Sequence, residues 1–186
     1  MSTPLRADAQ RNLERVLDAA AELFAEHGCD VSVDEIARRA GVGHATVFRR
    51  FPTKDALIAA VVAKEIQELT AHVEEALAEE DAGEAFRGFV WHAGELHARD
   101  RALYEGFTRC VDVREVAESK AALDALIEQL IKRAQQAGAL RHDVAADDVS
   151  SLVGSAIRGA YSSQDPELWR RYLSVVLDGL RPPAEG

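Results

Sequence analysis

The stretch from Val31 to Asp55 constrains what this chain can fold into more than any other. Ser32 and Glu35 have the spacing of a capping box, with Val31 and Ile36 as the matching hydrophobic staple. Ile36, Ala37 and Ala40 then form an apolar stripe that ends at Gly41, a residue suited to the positive φ of a helix end. Beyond Val42 and Gly43, the run His44 to Arg50 predicts a second short helix. Val47 and Phe51 face inward in that helix, while His44, Ala45, Phe48 and Arg49 point outward. Pro52 and Thr53 stop it, and Thr53 with Asp55 can cap the helix that follows. Two short helices about a tight glycine turn make a helix-turn-helix.

Its charges indicate a partner. Arg38, Arg39, Arg49, Arg50 and Lys54 fall between Ile36 and Lys54, with no acidic residue among them. A second helix flanked by cations suits the DNA major groove, with base edges read near its start and phosphates held at its ends. Helix pairs of this kind also occur in proteins that never touch DNA. What favours DNA is the contrast with a chain whose net charge is −10. Residues 1–55 carry 8 basic and 9 acidic side chains, against 14 and 23 over residues 56–186, so the acidity lies mostly outside the reading head. An acidic body repels the duplex and turns the basic tip towards it.

The block Val33-x-x-Ile-Ala-x-x-Ala-Gly-Val-Gly-x-Ala-Thr-Val-Phe-x-x-Phe-Pro-x-Lys-x-Ala-Leu57 resembles the DNA-binding region of the TetR family of bacterial transcriptional repressors. The resemblance covers about the first third of the chain. It implies an all-α homodimer with an N-terminal three-helix reading head, residues 1–54, and a helical-bundle ligand-binding and dimerisation domain, residues 55–186. Gly43, His44, Ala45 and Thr46 lie where the recognition helix begins, and the resemblance makes Thr46, Phe48, Arg49, Arg50 and Lys54 the groove- and phosphate-contacting set. Thr46 could instead bond its own helix backbone. Three positions depart from the family's habit. Gly43 replaces a frequent Ser, which weakens the cap by a few tenths of a kcal/mol. Phe48 replaces a frequent Tyr and loses a phenol-to-phosphate bond. Arg50 stands where His is common and restores a phosphate contact with a permanent charge.

The rest of the chain reads as helices throughout, with no repeat and no alternating strand pattern. Pro4 and its neighbours read as a mobile arm before a first helix from about Ala9 to His27, closed by Gly28. A long helix from Asp55 to about Glu80 carries Leu57, Ile58, Val61, Val62, Ile66, Leu69 and Val73 without a proline or glycine, and is a plausible lever. Glu84 to Cys110 reads as the least regular and most aromatic segment. Phe86, Trp91, His92, Tyr104, Phe107 and Thr108, with Ile127, Ile131 and Arg158 from later helices, are candidate walls of a small-molecule pocket; an ordinary aromatic core is the alternative. Two final helices follow, one capped by Asp147 and one started by Asp165 and Pro166. In the resembling family such helices form the dimer interface, for which Leu152, Val153, Ala156, Ile157, Trp169, Leu173 and Val176 are the candidates; burial inside one subunit is equally open.

The function expected is a sequence-specific repressor on a palindromic double-stranded operator, released by a small hydrophobic or aromatic effector. The rival is a helical enzyme or ligand-binding protein built around Trp91 and His92, with His92, Glu95 and Cys110 as acid/base and nucleophile candidates. No phosphate loop, nucleophile elbow or metal spacing joins those residues, so neither enzyme activity, metal nor cofactor is expected. Cys29 and Cys110 read as free thiols of a reducing compartment. No apolar run approaches the roughly 20 residues of a membrane span, and the N-terminus lacks a signal-peptide segment. A cytoplasmic location is expected.

Overall fold

The computed structural model describes residues 4–28, 30–99, 114–160, 163, 165 and 167–183. Among them are eight helices and no strand: α1 (Pro4–His27), α2 (Val33–Ala40), α3 (His44–Arg50), α4 (Lys54–Ala78), α5 (Ala82–Arg99), α6 (Arg114–Gln136), α7 (Ala146–Gly159) and α8 (Leu168–Gly179). None of the described helices is long and apolar enough to cross a membrane.

The described residues fall into two compact units that part inside α4, between Glu65 and Ile66. The first unit holds α1, α2, α3 and the first half of α4, with residues 114–118. Its buried residues include Val16, Ala20, Leu23 and Phe24 of α1, Ile36 and Ala40 of α2, Val47 of α3 with Phe51, and Leu57, Ile58, Val61 and Val62 of α4. Those four residues of α4 occupy i, i+1, i+4 and i+5, a stripe that gives the start of α4 an inward face. The Lys64 ammonium also pairs with Asp18 of α1.

The second unit joins the rest of α4 to α5, α7, α8 and most of α6. Its core includes Ile66, Val73, Phe86, Val90, Leu123, Leu130, Ile131, Ile157 and Leu173. α5 lies against α7 and α8, and α7 packs on α8. A Cβ placed on Gly94 of α5 would sit 2.5 Å from the Trp169 ring and 3.0 Å from Leu173, so only glycine lets these two helices meet so closely.

Several expected boundaries move. Pro4 is not in an arm but is the first residue of α1, where its fixed φ and missing N–H suit the first helical turn. The segment from Glu84 is regular helix up to Arg99, because Phe86, Phe89 and Val90 recur at helical spacing and Asp81 caps the start. The Asp81 carboxylate accepts the N–H groups of Gly83 (2.9 Å) and Glu84 (3.0 Å), which pull its pKa below the ordinary value. Asp147 does not cap α7: the helix starts two residues earlier than that role requires, and Asp148 reaches back to accept the Ala145 N–H at 3.2 Å. α8 begins at Leu168 rather than beside Asp165, whose carboxylate accepts from the Glu167 N–H at 2.9 Å and pairs with Arg171 at 2.6 Å.

Candidate nucleic-acid interface

The helix-turn-helix is held by local bonds that its sequence specifies. The Ser32 hydroxyl accepts the Glu35 N–H at 3.2 Å, and the Glu35 carboxylate accepts both the Ser32 N–H (3.0 Å) and the Ser32 hydroxyl (2.7 Å). The hydroxyl contact, then the backbone one, holds the Glu35 carboxyl below its ordinary pKa. Val31 and Ile36 are both buried, as a staple requires. Gly41 closes α2 at φ +65°, and Val42 N–H returns to the Ala37 carbonyl at 3.0 Å. The Arg15 guanidinium of α1 donates to the Ala40 carbonyl and, at 3.3 Å, to that of Gly41. No sequence signal marks Arg15 as the clamp on this turn, since it reads as one cation among several on α1.

α3 presents its outer face as expected. Gly43 stands at the N-cap without a side-chain cap bond, and Val47 alone of this helix is buried. His44, Ala45, Phe48, Arg49 and Arg50 are exposed, Phe48 at 54% despite its size. Thr46 is half-buried, and its hydroxyl makes no hydrogen bond among the described residues, so it is not spent on its own backbone. Thr53 caps α4 by accepting the Ala56 N–H at 3.1 Å, which brings Lys54 into the first turn beside α3.

Four of the five cations of this window divide into two kinds. Arg39 is tied down: it pairs with Glu22 and Glu26 of α1, both at 3.1 Å, and the Glu26 contact raises its pKa most. Its charge is spent on packing α2 against α1. Among the described residues, Arg49, Arg50 and Lys54 make neither ion pair nor hydrogen bond through their side chains. Three unpaired cations around an exposed helix can meet an anionic polymer without first breaking a bond to the protein.

The pocket candidates are only partly brought together. Tyr104, Phe107 and Thr108 lie outside the described residues, as do Cys29 and Cys110. Phe86 and Ile131 are buried and Ile127 is half-buried. Trp91 meets Trp169 of α8 edge-on, with centroids 5.9 Å apart, which joins a pocket candidate to an interface candidate inside one chain. The next residue, His92, faces another way and stacks on His72 of α4 at 3.6 Å. Glu95 pairs with Arg170 at 3.0 Å, so His92 and Glu95 do not act as a pair. Arg158 is exposed and lies over its own helix, donating to the Ser155 hydroxyl at 3.0 Å. A surface cleft of about 490 Å³ opens elsewhere, between Asp81, Glu84, Arg87, Ala139 and Arg181, and none of the pocket candidates lines it. No cluster of three metal-ligating side chains occurs among the described residues.

Four of the interface candidates lie in the subunit's own core. Ala156, Ile157, Trp169 and Leu173 are buried within the single chain, the ring of Trp169 against α5. Their stripes face the subunit's own core and are not free to cover a partner. The apolar surface left on α7 and α8 is Leu152 (45% exposed), Tyr172 (43%) and Val175 (72%), flanked by half-buried Val153 and Val176. Val175 stands off the helical stripe, which is why periodicity passed it over.

An all-α chain whose basic helix-turn-helix precedes a helical body is the architecture of a one-component bacterial regulator. Residues 16–61 match the family described as bacterial regulatory proteins, tetR family, and residues 81–182 match the C-terminal domain of SbtR-like transcriptional regulators. The chain belongs to the TetR family. It is similar to the crystal structure of a TetR transcription regulatory protein from Mycobacterium vanbaalenii, at 38% identity and TM-score 0.74, covering 96% of this chain and 99% of that one. A TetR transcriptional regulator from Streptomyces coelicolor is 30% identical with TM-score 0.73, over 92% of this chain and 99% of its own. A curated HTH-type transcriptional repressor of Mycobacterium tuberculosis is 50% identical over 48 residues, which is 25% of this chain and 26% of that protein. The matches thus span between 22% and 48% of the length of the curated relatives.

Proposed function

We propose that the protein is a sequence-specific, DNA-binding transcriptional repressor, working in the cytoplasm as a homodimer and released from its operator by a small hydrophobic or aromatic effector. The observation that carries the reading is the division of the cations: Arg39 is neutralised by α1, while Arg49, Arg50 and Lys54 around α3 are not. α3 is short, and one such helix reads too few bases for genomic specificity. A two-fold dimer doubles the site and makes the operator palindromic. The apolar patch of Leu152, Tyr172 and Val175 with Val153 and Val176 supports α7 and α8 as the face that meets the second copy. An effector enclosed by the body, with Phe86 and Ile131 among its walls, shifts the equilibrium by its differential affinity for the DNA-bound and free forms. The unbroken α4 is the element that carries that difference towards α3, and a coupling of about 1–3 kcal/mol is ordinary for such a switch.

The test is DNA affinity across a salt series. Arg50→Ala and Lys54→Ala should each weaken binding to every sequence and lower the salt slope by about one unit. Salt-independent binding, or none at all, overturns the reading.

A further inference from the structure

His44 is the first residue of α3, and its ring has two neighbours. Its Nδ1 lies 3.7 Å from an Asp34 carboxylate oxygen, and its ring is tilted against Phe48, four residues on, with centroids 5.9 Å apart. Both His44 and Asp34 are exposed. An exposed pair at this distance adds little to folding, because solvent screens it and side-chain entropy opposes it. What it can supply is orientation.

We infer that Asp34 is a positioning residue, setting the His44 imidazole so that Nε2 is its base-reading atom. The inference rests on the DNA-binding reading above. A carboxylate is only an acceptor; 3.7 Å is longer than a hydrogen bond, so its charge acts electrostatically, favouring the tautomer whose N–H faces it. In the neutral ring this leaves the lone pair on Nε2, at the far end of the imidazole from α2. An acceptor there matches an exocyclic amine in the major groove, N6 of adenine or N4 of cytosine. The Phe48 ring stands on one side of the imidazole and narrows the orientations open to it. Specificity at one base pair per half-site would then depend on a side chain in α2 that need not touch DNA.

The full-length chain is used to select duplexes from a random-sequence library. Wild type, H44A, D34A and the double variant are then titrated against the selected duplex and its single-base variants. The expected result is an adenine or cytosine preference at one position per half-site, of about fivefold or more. H44A and D34A should each flatten that position, and D34A/H44A should look like H44A alone. D34A also removes a negative charge near the duplex, so its affinity for the non-preferred duplexes should rise. D34N, which keeps the shape and one acceptor oxygen, should retain part of the preference. Thermal melting of each variant shows whether the fold is kept. An unchanged preference in a folded D34A, or effects of D34A and H44A that add, overturns the assignment. Guanine or thymine selected at that position makes Nε2 a donor and overturns the acceptor role. If the wild type binds no duplex in a salt-dependent way, the DNA-binding reading fails instead, which is a distinct result.

Discussion

Gly41 and Arg15 illustrate how much one turn depends on single side chains. At φ +65° any residue with a Cβ is strained, and here that Cβ would also stand 2.5 Å from the Arg15 guanidinium that clamps the turn. Gly41→Ala should therefore destabilise the protein by about 1–2 kcal/mol or more, read as a lower urea midpoint with an unchanged slope. Arg15→Ala in the Gly41→Ala background should then cost less than in wild type, because the first change has already displaced the clamp. His97 offers a pH test. Burial, and secondarily the charge of Arg158, push its pKa below the ordinary 6.5. Between the folded and unfolded values the unfolded chain binds a proton that the folded chain does not, so stability rises with pH across that window. Melting temperature should fall as pH drops through 6.5, and His97→Gln should flatten that part of the profile. Spacing along the sequence could identify Gly41 as a helix end, but the partner that crowds it comes from 26 residues away.

At the scale of the element, α4 is the helix whose ends matter most. Its start is written in the sequence, through Thr53. Its end is not: the Arg133 guanidinium of α6 donates to the carbonyls of Ala76 (3.1 Å), Leu77 (3.2 Å), Glu79 and Glu80 (3.1 Å). One planar cation thereby bonds four carbonyls at and just beyond the helix end, where intrahelical donors run out; that of Ala76 also accepts the Glu79 N–H at 3.2 Å. Arg133→Ala should cost about 1.5–3 kcal/mol, with hydrogen exchange speeding up first around residues 76–80. Arg133→Lys should recover only part, since an ammonium cannot fork across the four acceptors. A similar long-range cap closes α8, where Arg141 donates to the Gly179 carbonyl at 3.1 Å while pairing with Asp143, whose pKa that contact lowers to about 2. Both caps join segments far apart in sequence, so no local pattern announces them.

For the whole molecule the surface that tests the proposed dimer is the one α7 and α8 leave uncovered. Val175→Glu with Tyr172→Glu should give a folded monomer by light scattering, with loss of binding to a palindromic site. Leu173→Ala should behave differently. Its side chain is fully buried within the subunit, so the expected result is a loss of about 2–5 kcal/mol in stability rather than selective dissociation. If Leu173→Ala dissociates a stable dimer and the Val175 and Tyr172 changes do not, the face of assembly is elsewhere. The same contrast governs the reading head: Arg39→Ala should cost stability through the lost Glu22 and Glu26 pairs, with a smaller change in salt slope than Arg50→Ala.

The sequence alone determined what local geometry controls. Caps at Ser32 and Thr53, the staple of Val31 and Ile36, the glycine turn and the exposed face of α3 all follow from interactions within a few residues, and the helical stripes follow from period. Tertiary structure decided where each stripe points. α7 and α8 each carry more apolar residues than one core face can use, and a periodic pattern has no marker for which of them meets the subunit's own α5. The packing of Gly94 on Trp169 and Leu173 settles that, and leaves Val175 outside. Pairing of charges is likewise non-local. Arg39 and Arg50 read alike along the chain, and only the position of α1 makes one of them a brace, while the other has no partner among the described residues.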